Sequence, residues 1–197
     1  RENSSQSPVN SYGESKLAFE RILAWYQIAY GIHHISLRYF NACGATKMFG
    51  EFHVPETHLI PIVFDVALGE RKAIHLFGTD YDTPDGSCIR DYIHVVDIAR
   101  AHILALAKID DIKSDAFNMG NGNGYSNREV IQTIQDVIGK KVAVIEADRR
   151  PGDPARLLAS SDRVRQELGW EPLYPDLRSM IQTAWDWRLA HPKGYSK

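Results

Sequence analysis

The chain has 197 residues, 44% hydrophobic and 24% charged, and a net charge of −2. That is the make-up of an ordinary folded domain. The near-neutral balance gives no electrostatic basis for binding nucleic acid or an anionic membrane, and no apolar run approaches the ~20 residues of a membrane span. A cytoplasmic globular protein of one domain, or parts of two, is expected. Cys43 and Cys88 are isolated and read as reduced packing residues. Eight histidines carry no His-Glu-x-x-His pattern and there is no Cys-x-x-Cys pair, so no metal site is expected.

In chain order, the first predicted element is a helix over 11–30. Ser11 and Glu14 have the Ser-x-x-Glu spacing of a capping box, and Gly31 follows the last turn as a C-cap. Leu17, Ile22, Leu23, Tyr26 and Ala29 recur at helical spacing and are read as its core-facing stripe. Tyr12 and Lys16 stand four residues apart, which puts them one turn apart on one face. A phenol beside an ammonium is one way to make a base. Tyrosine titrates near ~10, and an adjacent cation favours its phenolate, as does the positive end of a helix dipole.

A strand is predicted over 34–40, then a loop from Cys43 to Glu56, a helix over 57–69 and a strand over 73–77. A strand over 91–95, a helix over 96–108 and a strand over 116–119 follow. Gly120-Asn121-Gly122-Asn123-Gly124 lacks the Gly-x-Gly-x-x-Gly spacing of a dinucleotide fingerprint and is read as a structural turn. Ser126 and Glu129 form a capping box that opens a helix over 127–138. Strands over 142–146 and 157–160 and a helix over 176–190 complete the chain. The alternation of strand and helix defines an α/β fold.

Tyr12-Gly13-Glu14-Ser15-Lys16, a helix, and then Leu37-Arg38-Tyr39-Phe40-Asn41 resemble the extended short-chain dehydrogenase/reductase family. Three further segments are similar to its nucleotide-sugar 4-epimerase branch. They are Phe77-Gly78-Thr79-Asp80-Tyr81, the run from Asp85 to Val95, and Arg149-Arg150-Pro151-Gly152-Asp153. The resemblance runs over nearly the whole chain, with its segments in the family's order. It implies the remnant of a Rossmann-type doubly wound parallel sheet plus a smaller α/β substrate-binding domain. Residues 1–42 and 91–110 would belong to the NAD-binding domain, and 43–90 and 111–197 to the UDP-sugar domain. The glycine-rich turn that holds the dinucleotide in this family is not in the sequence. The chain is therefore expected to be a C-terminal piece whose N-terminal NAD-binding half is missing, and to be inactive alone.

The resemblance also assigns roles. Tyr12 and Lys16 would be catalytic and, with Phe40, would contact NAD. Tyr12 would take the proton of the sugar 4-hydroxyl during a transient oxidation at C4. Asn41, His58, Leu59, His75, Leu76, Phe77, Arg90, Arg150, Asp153 and Leu157 would contact the UDP-sugar. The segment from His75 to Phe77 would read the uracil through its backbone edge, and Arg90 and Arg150 would hold the diphosphate as planar guanidinium forks. Many family members carry asparagine where this chain has His58. Leu157 stands where the family places a residue beside the sugar 2-position, which implies room for an N-acetyl group. A homodimer through the Tyr12 helix and its neighbour is also implied. Two alternatives stay open: another nucleotide-sugar enzyme of the family, such as a dehydratase or a uronate epimerase or decarboxylase, and a non-catalytic UDP-sugar-binding piece.

Overall fold

The computed structural model describes residues 1–195. Helix α1, Ser11–Tyr30, is capped by Asn10, whose side chain accepts the Gly13 N–H at 2.8 Å. The expected cap, Ser11, is instead the first helical residue, and Glu14 lies 3.8 Å from Arg21. Asparagine caps as well as serine, and it stands one residue earlier. Gly31 closes the helix at φ 67°, as expected. The predicted core stripe holds only in part. Leu17 is buried and Leu23 half-buried, but Ile22, Tyr26 and Ala29 are exposed. The helix rests on the body along the line Gly13, Leu17, Glu20, Leu23 and Gln27, and Glu20 locks it to Arg38 with bonds of 2.8 and 2.5 Å. Phe19, Trp25 and Ile28 stay exposed on its other sides.

Strands β1 (His34–Tyr39) and β2 (Asn41–Cys43) lead through an irregular stretch to helix α2 (Leu59–Leu68), with His58 at the N-cap position but making no side-chain capping bond. Strand β3 (Ile74–Phe77) follows, then β4 (Ile89–Arg90) and β5 (Tyr92–His94); β5 is the strand expected over 91–95, shorter by one residue at each end, and β4 precedes it unpredicted. The chain turns into helix α3 (Val95–Ala107) at His94, whose Nδ1 accepts the Val96 N–H at 3.0 Å. Next come α4 (Ile109–Ile112), β6 (Ser114–Met119), β7 (Tyr125–Ser126), and α5 (Asn127–Ile138) with the predicted Ser126–Glu129 capping box. Strands β8 (Val144–Ala147) and β9 (Arg156–Leu157) and helices α6 (Asp162–Leu168) and α7 (Leu177–Ala190) complete the described chain. Sequence periodicity missed β2, β4, β7, α4 and α6, each too short to show a period. Strand β9 overlaps the expected 157–160 only at Leu157, because beyond it the Ala159 N–H turns to the Asp91 carboxylate, at 3.1 Å.

Three of the four small sheets are parallel pairs: β1 with β6, β2 with β5, and β3 with β8. The fourth has the order β7-β4-β9, with β7 antiparallel and β9 parallel to β4. The register His34↔Ser114 to Tyr39↔Met119 puts 114–119 in the same sheet as 34–39, although the expected division put them in different domains. Parallel pairs need covered faces, and two apolar cores supply the cover. One joins Ile93, Ile98, Ala101, Phe117, Met119, Val164 and Trp170. The other joins Val63, Phe64, Leu76, Val130, Ile134, Met180 and Ile181.

Asp91 ties these parts together. Its fully buried carboxylate accepts N–H bonds from Asn121 (2.8 Å), Gly122 (3.0 Å) and Ala159 (3.1 Å). The Gly120–Gly124 run is thus the structural turn that its spacing indicated. Gly122 and Gly124 adopt φ of 76° and 64°, and a Cβ on Gly120 would lie 2.4 Å from Asp91 Oδ2.

Candidate active site

The end of β1, strand β2, the irregular stretch 44–58 and the start of α2 enclose a cleft of about 820 Å³, closed on the far side by α7. Parallel strands end here and α2 begins here, the usual place for a ligand in an α/β sheet. Tyr12, Phe40, Asn41, His58 and Leu59 all line it, from three separate segments. Tyr12 is 70% exposed, and the Lys16 ammonium lies 5.1 Å from its ring centroid, so the spacing of four does bring the cation to the phenol. Asn41 donates its side-chain N–H to the Asp91 carbonyl at 2.8 Å, which fixes the amide and leaves Oδ1 free. Cys43 also lines the cleft, but burial pushes its thiol far above the ordinary range, so it is no nucleophile.

The other expected contacts form a second cluster, centred on β3 and the turn at 149–153. The Arg150 guanidinium carbon lies 4.0 Å from the Phe77 ring centroid, and the His75 ring stacks on Phe77 at 6.1 Å. Leu76 points into the core, so only its backbone is available. Strand β3 pairs on one side alone, with β8, which leaves its other backbone edge unpaired among the described residues. Arg90 is buried and largely engaged. It donates to the Ile89 and Pro154 carbonyls at 2.9 Å each and to Asp153 Oδ1 at 3.0 Å. Arg150 is the exposed guanidinium of the pair. Leu157, paired in register with Arg90, is 42% exposed. The two clusters adjoin through the 149–153 turn, since a Cβ on Gly152 would lie 3.7 Å from the Val9 carbonyl oxygen, just before Tyr12.

Several cleft residues escaped the sequence reading, among them Trp187, Glu51 and His53. Trp187 and Arg188 arrive from α7, far along the chain, and no local pattern marks them. Glu51, His53, Glu56 and His58 do carry a local signal, Glu-x-His-x-x-Glu-x-His, which the motifs searched for do not cover. Their donor atoms lie within 4.8 Å of one another.

The fold and the cleft together define a parallel-sheet α/β protein with a Tyr-x-x-x-Lys pair whose tyrosine lines a nucleotide-sized site. The sequence profile described as the NAD dependent epimerase/dehydratase family matches residues 1–120, and the chain belongs to that family. A UDP-glucose 4-epimerase of Halalkalibacterium halodurans is 53% identical over 192 residues, 96% of this chain and 58% of that protein. A solved UDP-glucose 4-epimerase superposes with a TM-score of 0.94 at 48% identity, covering all of this chain and 60% of its own. The UDP-glucose 4-epimerase of Bifidobacterium longum, solved with NAD+ and UDP, superposes with a TM-score of 0.90 at 37% identity, covering 98% of this chain and 58% of its own. The chain thus spans under two thirds of the length of these relatives. No described helix is long and apolar enough to cross a membrane.

Proposed function

We propose that this chain is the part of a cytoplasmic NAD-dependent UDP-glucose 4-epimerase that carries the catalytic base and the UDP-sugar site, serving galactose metabolism. The observation that carries the reading is one cleft bordered by Tyr12, Phe40, Asn41, His58 and Leu59, with an Arg150–Phe77 platform beside it. In the Bifidobacterium relative, NAD+ and UDP are the bound molecules.

The residues present fit the cofactor. Tyr12 and Phe40 line the cleft, and the Lys16 ammonium lies one turn away, 5.1 Å from the Tyr12 ring centroid, a set of groups suited to a nicotinamide and its ribose. When bound, NAD supplies the acceptor and donor for the hydride at C4. Tyr12 takes the proton from the sugar 4-hydroxyl and later returns it, with Lys16 as its positive neighbour one helical turn away. The base is read along the open edge of β3 at 75–77. The diphosphate meets Arg150 and the start of α2, where helix N–H groups and the dipole favour an anion. Arg90 and Asp153 hold the loop that presents Arg150, and Asp153 is the acceptor for the uridine ribose. A nucleotide clamped at this distance from C4 lets the hexose turn over between the two half-reactions, and it supplies binding energy remote from the reacting carbon.

The division of labour in the chain follows. Residues 1–42 and 91–110, with the paired strand β6, serve the cofactor side, and the rest of 43–197 serves the nucleotide sugar. The exposed apolar side of α1 (Trp25, Tyr26) and that of α3 (Ile103, Leu106) form the contact of a homodimer. Leucine at 157 leaves room beside the sugar 2-position, so N-acetyl sugars are accepted. The test is interconversion of UDP-glucose and UDP-galactose by the full-length gene product that carries this chain. Conversion supports the reading. A 4-keto product without interconversion assigns the protein to the dehydratase branch instead, and UDP binding without turnover makes it a binding module.

A further inference from the structure

On the rim of the cleft, the loop between β2 and α2 folds four potential metal ligands onto one point. His53 Nδ1 lies 3.2 Å from Glu51 Oε1 and 3.7 Å from Glu56 Oε2. His58 Nδ1 lies 2.8 Å from Glu51 Oε1 and 2.9 Å from Glu56 Oε1. Nitrogen and oxygen donors bound at about 2.0–2.2 Å to one tetrahedral centre sit about 3.3 Å apart; the two Glu51 Oε1 separations and the His53–Glu56 Oε2 separation lie on either side of that value, and one donor atom from each residue falls within 4.8 Å of the others.

Two further features mark the cluster as built. The Glu56 side chain is only 9% exposed in a loop that is otherwise open to solvent. Its Oε1 accepts the backbone N–H groups of Thr57 and His58 at 2.7 Å each, which sets the carboxylate and leaves Oε2 turned toward His53. Such outer bonds orient ligands in metal sites. The second feature is the pairing of two carboxylates in one half-buried place. A chain without a cation here must bring two acidic groups together with only two half-exposed imidazoles between them. Exposed pairs of that kind are worth little.

We propose that Glu51, His53, Glu56 and His58 form a tetrahedral two-imidazole, two-carboxylate site for one divalent transition metal of the Zn(II) type. Imidazole with carboxylate suits Zn(II) over Mg(II) or Ca(II), which prefer all-oxygen shells. Four protein ligands leave no open position, so the site is structural. It pins the stretch 44–58, which supplies Gly44, Gly50, Glu51 and His53 to the cleft wall, to the first residue before α2. His58 ligates through Nδ1 and keeps Nε2 free. The inference is independent of the reaction proposed above.

The test uses the full-length gene product, stripped with a chelator and titrated with Zn(II) by isothermal calorimetry. One equivalent binds with a Kd below about 1 μM, which is about −8 kcal/mol by the affinity relation. His53→Ala, a change at a half-exposed side chain, weakens binding about 100-fold or more. The same titration with Glu51→Gln gives a comparable loss. Zn(II) also raises the melting temperature of the wild type and not of either variant, a readout that serves even where a variant is less stable. Absence of Zn(II) binding, binding unchanged in both variants, or a preference for Mg(II) overturns the proposal. An anomalous peak at the zinc edge away from these four residues overturns it as well.

Discussion

Asp91→Asn should cost a large share of the stability margin of the fold. The carboxylate is fully buried and accepts three backbone N–H bonds, Asn121 on Oδ1 and Gly122 and Ala159 on Oδ2. An asparagine keeps the shape but turns one oxygen into a donor. With the amide nitrogen at the Oδ1 position, one of the three N–H groups faces another donor. In the flipped orientation, two do. The cheaper orientation still leaves one buried N–H without a partner, at about 1–3 kcal/mol, and turns two charge-assisted bonds into neutral ones, at about 1 kcal/mol each. The expected loss is about 3–5 kcal/mol, against a total stability of about 5–15 kcal/mol for a typical domain. Equilibrium urea unfolding of the full-length protein and the variant, with equal slopes, reads the difference directly. A loss below about 1 kcal/mol would refute the claim that Asp91 organises the Gly120–Gly124 turn and the end of β9.

His94 is fixed as a neutral ring, with Nδ1 accepting from Val96 N–H and Nε2 donating to Thr183 Oγ1 at 3.0 Å, and burial lowers its pKa. A depressed folded value means stability is complete above the unfolded value of ~6.5 and is lost as pH falls through the lower folded one. The urea midpoint should therefore drop between pH 7 and 5, and the His94→Gln variant should lack that drop. Arg150→Ala removes an exposed guanidinium and should weaken UDP binding about 10- to 100-fold by calorimetry, the loss of one charged hydrogen bond, with an unchanged melting temperature. Cys43 and Cys88 are both buried with thiols raised by burial, so iodoacetamide at pH 8 should leave them unmodified until the protein is unfolded, as read by mass spectrometry.

The features legible in the sequence are those written in neighbouring residues. Tyr12 and Lys16 need only a helix to meet, the Ser126–Glu129 box needs only its own turn, and Gly31 ends α1 by its own φ. The cap of α1 was misread by one residue because Asn10 and Ser11 are both good caps, and only the local backbone decides between them. The α1 stripe was misread because periodicity shows which residues are apolar, while burial depends on what lies opposite. In this chain Trp25, Ile22 and Tyr26 stay exposed, and the Tyr26 ring meets Tyr30 of its own helix at 5.5 Å. Asp91 is invisible to pattern reading, since its partners stand up to 68 residues away. The same holds for the fold contacts of Arg90, which reads as an anion ligand in sequence and also gives three of its five N–H donors to Ile89, Pro154 and Asp153. The Glu51–His58 cluster was legible in principle, because its four members lie within one loop, but its spacing belongs to none of the familiar metal motifs.

The central claim is that Tyr12 is the proton-transfer group of a UDP-sugar 4-epimerase. It is tested most directly by steady-state interconversion of UDP-glucose and UDP-galactose with the full-length, NAD-loaded protein and its Tyr12→Phe variant. The account predicts that kcat falls about 10²- to 10⁴-fold, the usual worth of a positioned acid–base group, while UDP affinity and melting temperature stay unchanged. A variant that retains wild-type kcat, or a wild type that folds, binds UDP and interconverts nothing, would contradict it.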